Sequence, residues 1–142
     1  MNEANALYKD ALLDHYRNPR GHRKEPFDER YITARGRNPR CGDDVELGLS
    51  LREGKLVDAG FRGRGCSICM ASTSMLVTAI ADSSRDEMEE LYQNLCDWRD
   101  QQSELPESLA PLEAVRSSPA RQKCALLGWN ALGDILESLK RS

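Results

Sequence analysis

Val45-Glu46-Leu47-Gly48-Leu49-Ser50-Leu51-Arg52-Glu53-Gly54-Lys55-Leu56-Val57-Asp58-Ala59-Gly60-Phe61 decides the fold class of this chain. Val45, Leu47, Leu49 and Leu51 alternate with Glu46, Gly48, Ser50 and Arg52, a period of two that predicts a strand buried on one face. Glu53-Gly54 reads as the turn. A second strand comes next, expected to turn Val57, Ala59 and Phe61 to one side. The pair is an antiparallel hairpin. The rest of the chain, from residue 66 on, reads as helical, so the class expected is α+β rather than a parallel α/β alternation.

Working downstream, residues 66–81 carry Ile68, Met70, Ala71, Met75, Leu76, Ala79 and Ile80 at helical spacing, among many small residues that permit close packing. Ser84-Arg85-Asp86-Glu87 is a capping box. It opens a helix with Met88, Leu91, Leu95 and Trp98 inward. Residues 101–113, with Pro106 and Pro111, read as a connector of little regular structure. Ser118 caps a final helix with Pro119 at its first position and Leu126, Leu127, Leu132, Leu136 and Leu139 as its stripe. Upstream, residues 3–17 read as an amphipathic helix with Leu7, Ala11, Leu12, His15 and Tyr16 on its apolar face, ended by Asn18-Pro19. Residues 18–38 read as a long loop, with a short strand near Tyr31–Arg35. The expected architecture is a small antiparallel sheet of about three strands, packed on one face by several helices, with a metal site at one end. All of residues 1–142 are expected to form one domain.

The length, 142 residues, suits one domain that buries roughly 70% of its unfolded surface without disulfide staples. The net charge of -3 gives no reason to expect nucleic acid. Residues 17–40 are locally basic and 82–113 acidic, read either as solvated loops or as a docking surface for an acidic partner. No run approaches the ~18 apolar residues a membrane span needs, and Met1-Asn2-Glu3 opens no apolar leader. A reducing cytoplasm is the expected compartment. The five cysteines are then expected to serve metal or catalysis rather than disulfides.

Four residues read as one metal site: Cys41, Asp43, Cys66 and Cys124. Cys41 lies in the polar turn Asn38-Pro39-Arg40-Cys41-Gly42-Asp43, and Asp43 is placed to reach the same point. Cys66 follows Gly63-Arg64-Gly65 at a helix start, where a thiol is driven toward thiolate. Cys124 lies in the second turn of the last helix just after Arg121 and Lys123, which favour the charged form. Three thiolates and a carboxylate suit tetrahedral zinc, or the irons of a nascent iron–sulfur cluster. A carboxylate holds such ions less tenaciously than a fourth thiolate and suits a site that opens. Cys96 reads as a small buried hydrophobe. Cys69 completes a C-x-x-C with Cys66. It reads as a packed thiol, an alternative ligand or a sulfur relay; thioredoxin-type catalysis is disfavoured because no parallel sheet is expected. His15 and His22 form no zinc motif.

Three cysteine motifs in order carry a resemblance over nearly the whole chain. Leu13-Asp14-His15-Tyr16-Arg17-Asn18-Pro19-Arg20, Asn38-Pro39-Arg40-Cys41-Gly42-Asp43, Gly63-Arg64-Gly65-Cys66-Ser67-Ile68-Cys69-Met70-Ala71-Ser72 and Pro119-Ala120-Arg121-Gln122-Lys123-Cys124-Ala125 resemble the U-type iron–sulfur cluster assembly proteins, the IscU/NifU-N-terminal family. The long interval from Cys66 to Cys124, and Lys123 where IscU-type proteins carry histidine, make the SufU branch the nearest likeness. The Leu-Pro-Pro-Val-Lys motif that IscU presents to its chaperone is absent.

The resemblance implies a zinc-dependent sulfurtransferase accepting persulfide sulfur from a pyridoxal-phosphate (SufS-type) cysteine desulfurase. In the IscU branch the same residues would hold a transient [2Fe–2S] cluster, passed on to Suf components or apo iron–sulfur proteins. A structural zinc module for protein binding is the third reading. Cys124 is the expected persulfide acceptor, on the expectation that its helix start lies near the surface while the glycine turn makes Cys66 less accessible. At the position of Cys69 the family usually has serine or alanine.

Overall fold

The alternation at residues 45–51 becomes the middle strand of a three-stranded antiparallel sheet. The computed structural model describes residues 3–40 and 42–141. Its strands are β1 (Ile32–Asn38), β2 (Asp43–Arg52) and β3 (Lys55–Arg64), in the order β1-β2-β3. The helices are α1 (Glu3–Arg17), α2 (Ser67–Ala79), α3 (Arg85–Arg99), a 3-10 helix (Glu107–Val115) and α4 (Pro119–Lys140). Val45, Leu47 and Leu49 are fully buried and meet Phe61, Leu76 and Leu132 in one core. Each such side chain contributes about 1.5–3 kcal/mol by leaving water. α4 packs on β1 and β2, and α2 on β3 and α4.

The β2–β3 turn is a two-residue one. Glu53 and Gly54 both have positive φ (54° and 78°), matching the right-handed twist of the flanking strands. Beyond it the expected face of β3 is corrected. The register shifts between Ser50 and Leu51, so Leu51 pairs with Leu56 while Ser50 pairs with Asp58. This irregularity offsets the alternation. Leu56 is buried, and Val57 points to solvent at 56% exposure.

The strand near Tyr31–Arg35 is longer than expected, running to Asn38. Its signal is muted because, after Ile32, its inward positions are Ala34 and Gly36 rather than large residues. They are small because α4 lies against them: a Cβ on Gly36 would stand 2.1 Å from the Leu127 carbonyl oxygen. The supposed connector at 101–113 is corrected too. Much of it is the 3-10 helix, whose Leu109, Leu112 and Val115 recur every third residue and are buried. That spacing matches three residues per turn.

The capping box is formed as expected. Ser84 Oγ accepts from Glu87 N (3.1 Å), and Glu87 Oε1 accepts from Ser84 N (2.9 Å). Ser118 caps α4 by accepting from Arg121 N at 3.3 Å. Half of the basic side chains in the stretch 17–40 pair with the chain's own carboxylates. Arg20 pairs with Asp14 (2.7 Å), Arg30 with Asp28 (2.8 Å), and Arg35 and Arg37 with Asp44 (2.9 and 3.3 Å). Arg23 stacks over Phe27.

Helix α1 buries Leu12 but leaves Leu7 and Tyr16, expected on its inward face, exposed. Its contact with α2 is polar. His15 Nδ1 and Ser74 Oγ lie 2.8 Å apart, and the Arg20 amide donates to the same hydroxyl at 2.8 Å. Burial pushes the His15 pKa down, Arg20 adds to this, and Asp14 opposes it. A His with a depressed folded pKa binds fewer protons folded than unfolded, so its contribution is present above the unfolded value of about 6.5 and fades as pH falls below it. His15→Gln is therefore expected to flatten the loss of melting temperature between neutral pH and pH 5. Parallel melting curves of variant and parent across that range would reject this.

Candidate metal centre

The end of the sheet where β2 begins faces the starts of α2 and α4, and each contributes one donor. Asp43 is the first residue of β2 and only 6% exposed. Cys66 is the N-cap of α2, with extended φ and ψ of -65° and 169°. Cys124 lies in the second turn of α4 and is half-buried. One ligand atom from each of Asp43, Cys66 and Cys124 falls within 4.8 Å of the other two. Cys41, expected as a fourth member, lies outside the described residues. Its loop joins β1 to β2 and is closed by Gly42 N donating to Asn38 O at 2.9 Å.

Hydrogen bonds hold these donors. The Cys66 amide donates to Asp43 Oδ1 (3.1 Å), and Cys66 Sγ accepts from the Cys69 amide (3.5 Å). A helix start leaves such amides without intrahelical partners, so they turn to the cap and to a nearby anion. Asp43 Oδ2 is buried with no hydrogen-bond partner among the described residues. A buried carboxylate oxygen left so costs free energy unless a cation meets it. Two thiols and a hard oxygen converging beside that oxygen form a donor set that fits zinc or iron.

Cys69 sits directly behind the cluster. It is fully buried, and its pKa is pushed up to about 12, first by burial and then by the negative charges of Asp43, Cys66 and Cys124. Gly65 makes room for it: a Cβ there would lie 2.8 Å from Cys69 Sγ and 3.2 Å from Asp43 Cγ. Cys96 is on α3 beside Tyr92. His15 is held by Ser74 and His22 stacks on Phe61, so neither joins the cluster. The expected order of access is reversed: Cys66 is exposed and Cys124 half-buried. As N-cap, Cys66 stands at the open end of α2, whereas Cys124 is in a second turn covered by its neighbours.

Sequence reasoning missed an apolar groove beside the Cys66 turn. Leu12, Leu13 and Tyr16 of α1, Ile68 of α2 and Arg121 of α4 line a cavity of about 270 Å³. The exposed Leu13 and Tyr16 were its only signal.

The arrangement has known relatives. Residues 7–137 match the family described as the NifU-like N terminal domain. The chain belongs to that family. Among NifU-like relatives, the zinc-dependent sulfurtransferase SufU of Bacillus subtilis is 34% identical over 130 residues, covering 89% of this chain and 86% of that protein. The iron-sulfur cluster assembly scaffold protein IscU of Streptococcus pyogenes is 33% identical, with 100% and 88% covered. A crystal structure from Fervidobacterium islandicum, described as a candidate cluster assembly scaffold for the SUF system, shares the NifU-like fold with a TM-score of 0.77 at 28% identity, covering 93% and 98%. No helix among the described residues is long and apolar enough to cross a membrane.

Proposed function

We propose that this chain acts in iron–sulfur cluster assembly as a zinc-holding acceptor of sulfane sulfur, supplied by a pyridoxal-phosphate cysteine desulfurase in the cytoplasm. The observation that carries this is the convergence of Asp43, Cys66 and Cys124 beside Asp43 Oδ2, which is buried with no hydrogen-bond partner among the described residues. Kinship to the SufU protein named zinc-dependent supports it. Asp43, Cys66 and Cys124 would hold zinc, with Cys41 as fourth ligand, and all of residues 1–142 would work as one domain. Bound zinc supplies charge that keeps its thiols deprotonated.

The chain's own groups do the rest. The Cys66 amide holds the Asp43 carboxylate, and the Cys69 amide steadies Cys66 Sγ. The exposed Cys66 admits a donor thiol. Cys124 is the proposed first acceptor because Arg121 and Lys123 flank it; Cys66 has the better access and is the alternative.

A second reading, favoured by the open position of Cys66 and by the IscU relatives, makes a [2Fe–2S] cluster the cargo, built here and handed on. A closed structural zinc module fits less well, because an aspartate ligand and an exposed thiol make an exchangeable site.

Protein purified without added metal is expected to be colourless, with close to one zinc per chain. Brown protein with sulfide-linked absorption and no zinc would transfer the assignment to the scaffold. Incubation with a desulfurase and cysteine, followed by mass spectrometry of trapped persulfide, is expected to add one sulfur. The increment should vanish in Cys124→Ser and persist in Cys96→Ser. Persistence in Cys124→Ser with loss in Cys66→Ser would move the acceptor to Cys66. No increment on any cysteine would reject sulfur acceptance.

A further inference from the structure

Cys66 and Cys69 are a solvent-facing and a buried thiol on one helical turn. Residues three apart at a helix start are neighbours. Side chains there lean back toward the N-terminus, so the Cys69 thiol is directed at its own cap. One observation bears this out: the Cys69 sulfur lies under Gly65, 2.8 Å from where a Cβ would be, and the Cys69 amide holds Cys66 Sγ on the same turn by donating to it at 3.5 Å. Cys69 is fully buried, so no outside thiol reaches it, whereas Cys66 is exposed. A disulfide spans Cα atoms about 4.4–6.8 Å apart. Cβ atoms three apart on a helix lie about 5–6 Å apart and a disulfide needs about 3.5–4.5 Å, so closure takes a local shift at the N-cap together with rotation of the Cys66 side chain.

We propose that Cys69 is a resolving thiol: it attacks a persulfide carried on Cys66, expels hydrosulfide and closes a Cys66–Cys69 disulfide. This rests on the sulfur-acceptor reading above, with the Cys66 thiolate taking the outer sulfur from a Cys124 persulfide, which leaves Cys124 as thiolate, or accepting it directly; the two ligand atoms lie within 4.8 Å. Cys69 Sγ bonds to Cys66 Sγ, and the bond between Cys66 Sγ and the sulfane sulfur breaks. The departing sulfur takes the electron pair of that bond and, in the same event, the Cys69 proton, since burial and the neighbouring charges disfavour a free Cys69 thiolate beforehand. Two thiol sulfurs are oxidised to one disulfide, and one sulfane sulfur is reduced to sulfide. No outside reductant enters this step; an external dithiol regenerates the pair afterwards. Hydrosulfide is a weaker base than a cysteine thiolate and so the better leaving group. Holding both sulfurs on one turn replaces an encounter with an intramolecular step. The chain would then deliver its sulfur as sulfide.

The test uses the full chain, reduced, treated with a chelator, and loaded either by a desulfurase with cysteine or by glutathione persulfide. Donor is removed and sulfide release is followed without reductant. Trypsin cleaves after Arg64 and Arg85, so both cysteines fall in the peptide 65–85. The parent protein is expected to release sulfide as that peptide becomes lighter by two hydrogens. Cys69→Ser and Cys69→Ala, with melting curves confirming their fold, should release it more slowly by on the order of tenfold or more. Equal release from parent and variants, or release without the two-hydrogen loss in the parent, overturns the proposal. Loading by glutathione persulfide but not by a desulfurase, with disulfide closure intact, would sink the sulfur-acceptor reading while upholding the role of Cys69.

Discussion

Trp129→Ala is expected to remove about 3–5 kcal/mol of folding stability, the usual range for emptying a buried aromatic site. Trp129 is 1% exposed on the inner face of α4. Its Nε1 donates to Ser72 Oγ on α2 at 3.1 Å, and that hydroxyl donates to the Ala125 carbonyl on α4 at 2.6 Å. Alanine leaves a void between the two helices and removes the donor to Ser72. For a domain of this size the loss corresponds to a fall in melting temperature on the order of 10–15 °C. Trp129→Phe keeps most of the bulk and leaves the Ser72–Ala125 bond in place, so it should cost only about 1–2 kcal/mol. Urea unfolding of the three proteins measures both. A Trp129→Ala midpoint close to the parent's would show that the helices collapse onto the void, which their small buried side chains Ser72, Thr73 and Ser74 leave little room to do. α2 follows Cys66 and α4 carries Cys124, so this contact also sets the spacing of the candidate donors.

Asp43→Ala should have the opposite profile, with a large effect on metal and a small one on the fold. Losing a proposed direct ligand is expected to weaken metal retention by more than the roughly 10–100-fold that outer-shell partners cost. Without metal, Asp43 Oδ2 is a buried oxygen with no hydrogen-bond partner among the described residues, and its removal relieves that burden. The lost Oδ1 bond to the Cys66 amide works the other way. The two nearly cancel, leaving metal-free variant and parent within about 1 kcal/mol. Competition with a chromogenic chelator reads the first effect, and thermal unfolding of metal-free protein the second. A variant that melts without cooperativity would refute the view that the core, rather than the site, carries the fold.

A feature is legible in the sequence when the neighbours that shape it lie close by in the chain. The alternation at 45–51 and the Ser84–Glu87 box are of this kind, and they read directly. β1 hid its length because Ala34 and Gly36 are shaped by α4, almost a hundred residues away in sequence. Prolines at 106 and 111 masked a period of three at Leu109, Leu112 and Val115 that was there to be seen. The face of Val57 turned on one irregularity of register, for which no local pattern speaks. At the site, a polar turn singled out Cys41 and Asp43, and helix starts singled out Cys66 and Cys124; the fold brings Asp43, Cys66 and Cys124 together, and Cys41 lies outside the described residues. Their order of exposure was misread, because it depends on how far each sits from the open end of its helix. The groove at Leu13 and Tyr16 escaped notice because an apolar residue on a helix is ordinarily assigned inward.

The three converging donors come from a strand start and two helices that the chain visits far apart, at positions 43, 66 and 124. No such cluster exists in an unfolded chain, so an ion that these groups grip is gripped by the native state alone. Free ion at a thousand times its dissociation constant would then add about 4 kcal/mol to the native state. The melting temperature becomes a gauge of ion supply. In a metal-starved cell the chain would lose, along with the ion, part of its lifetime against proteases that cut whatever unfolds.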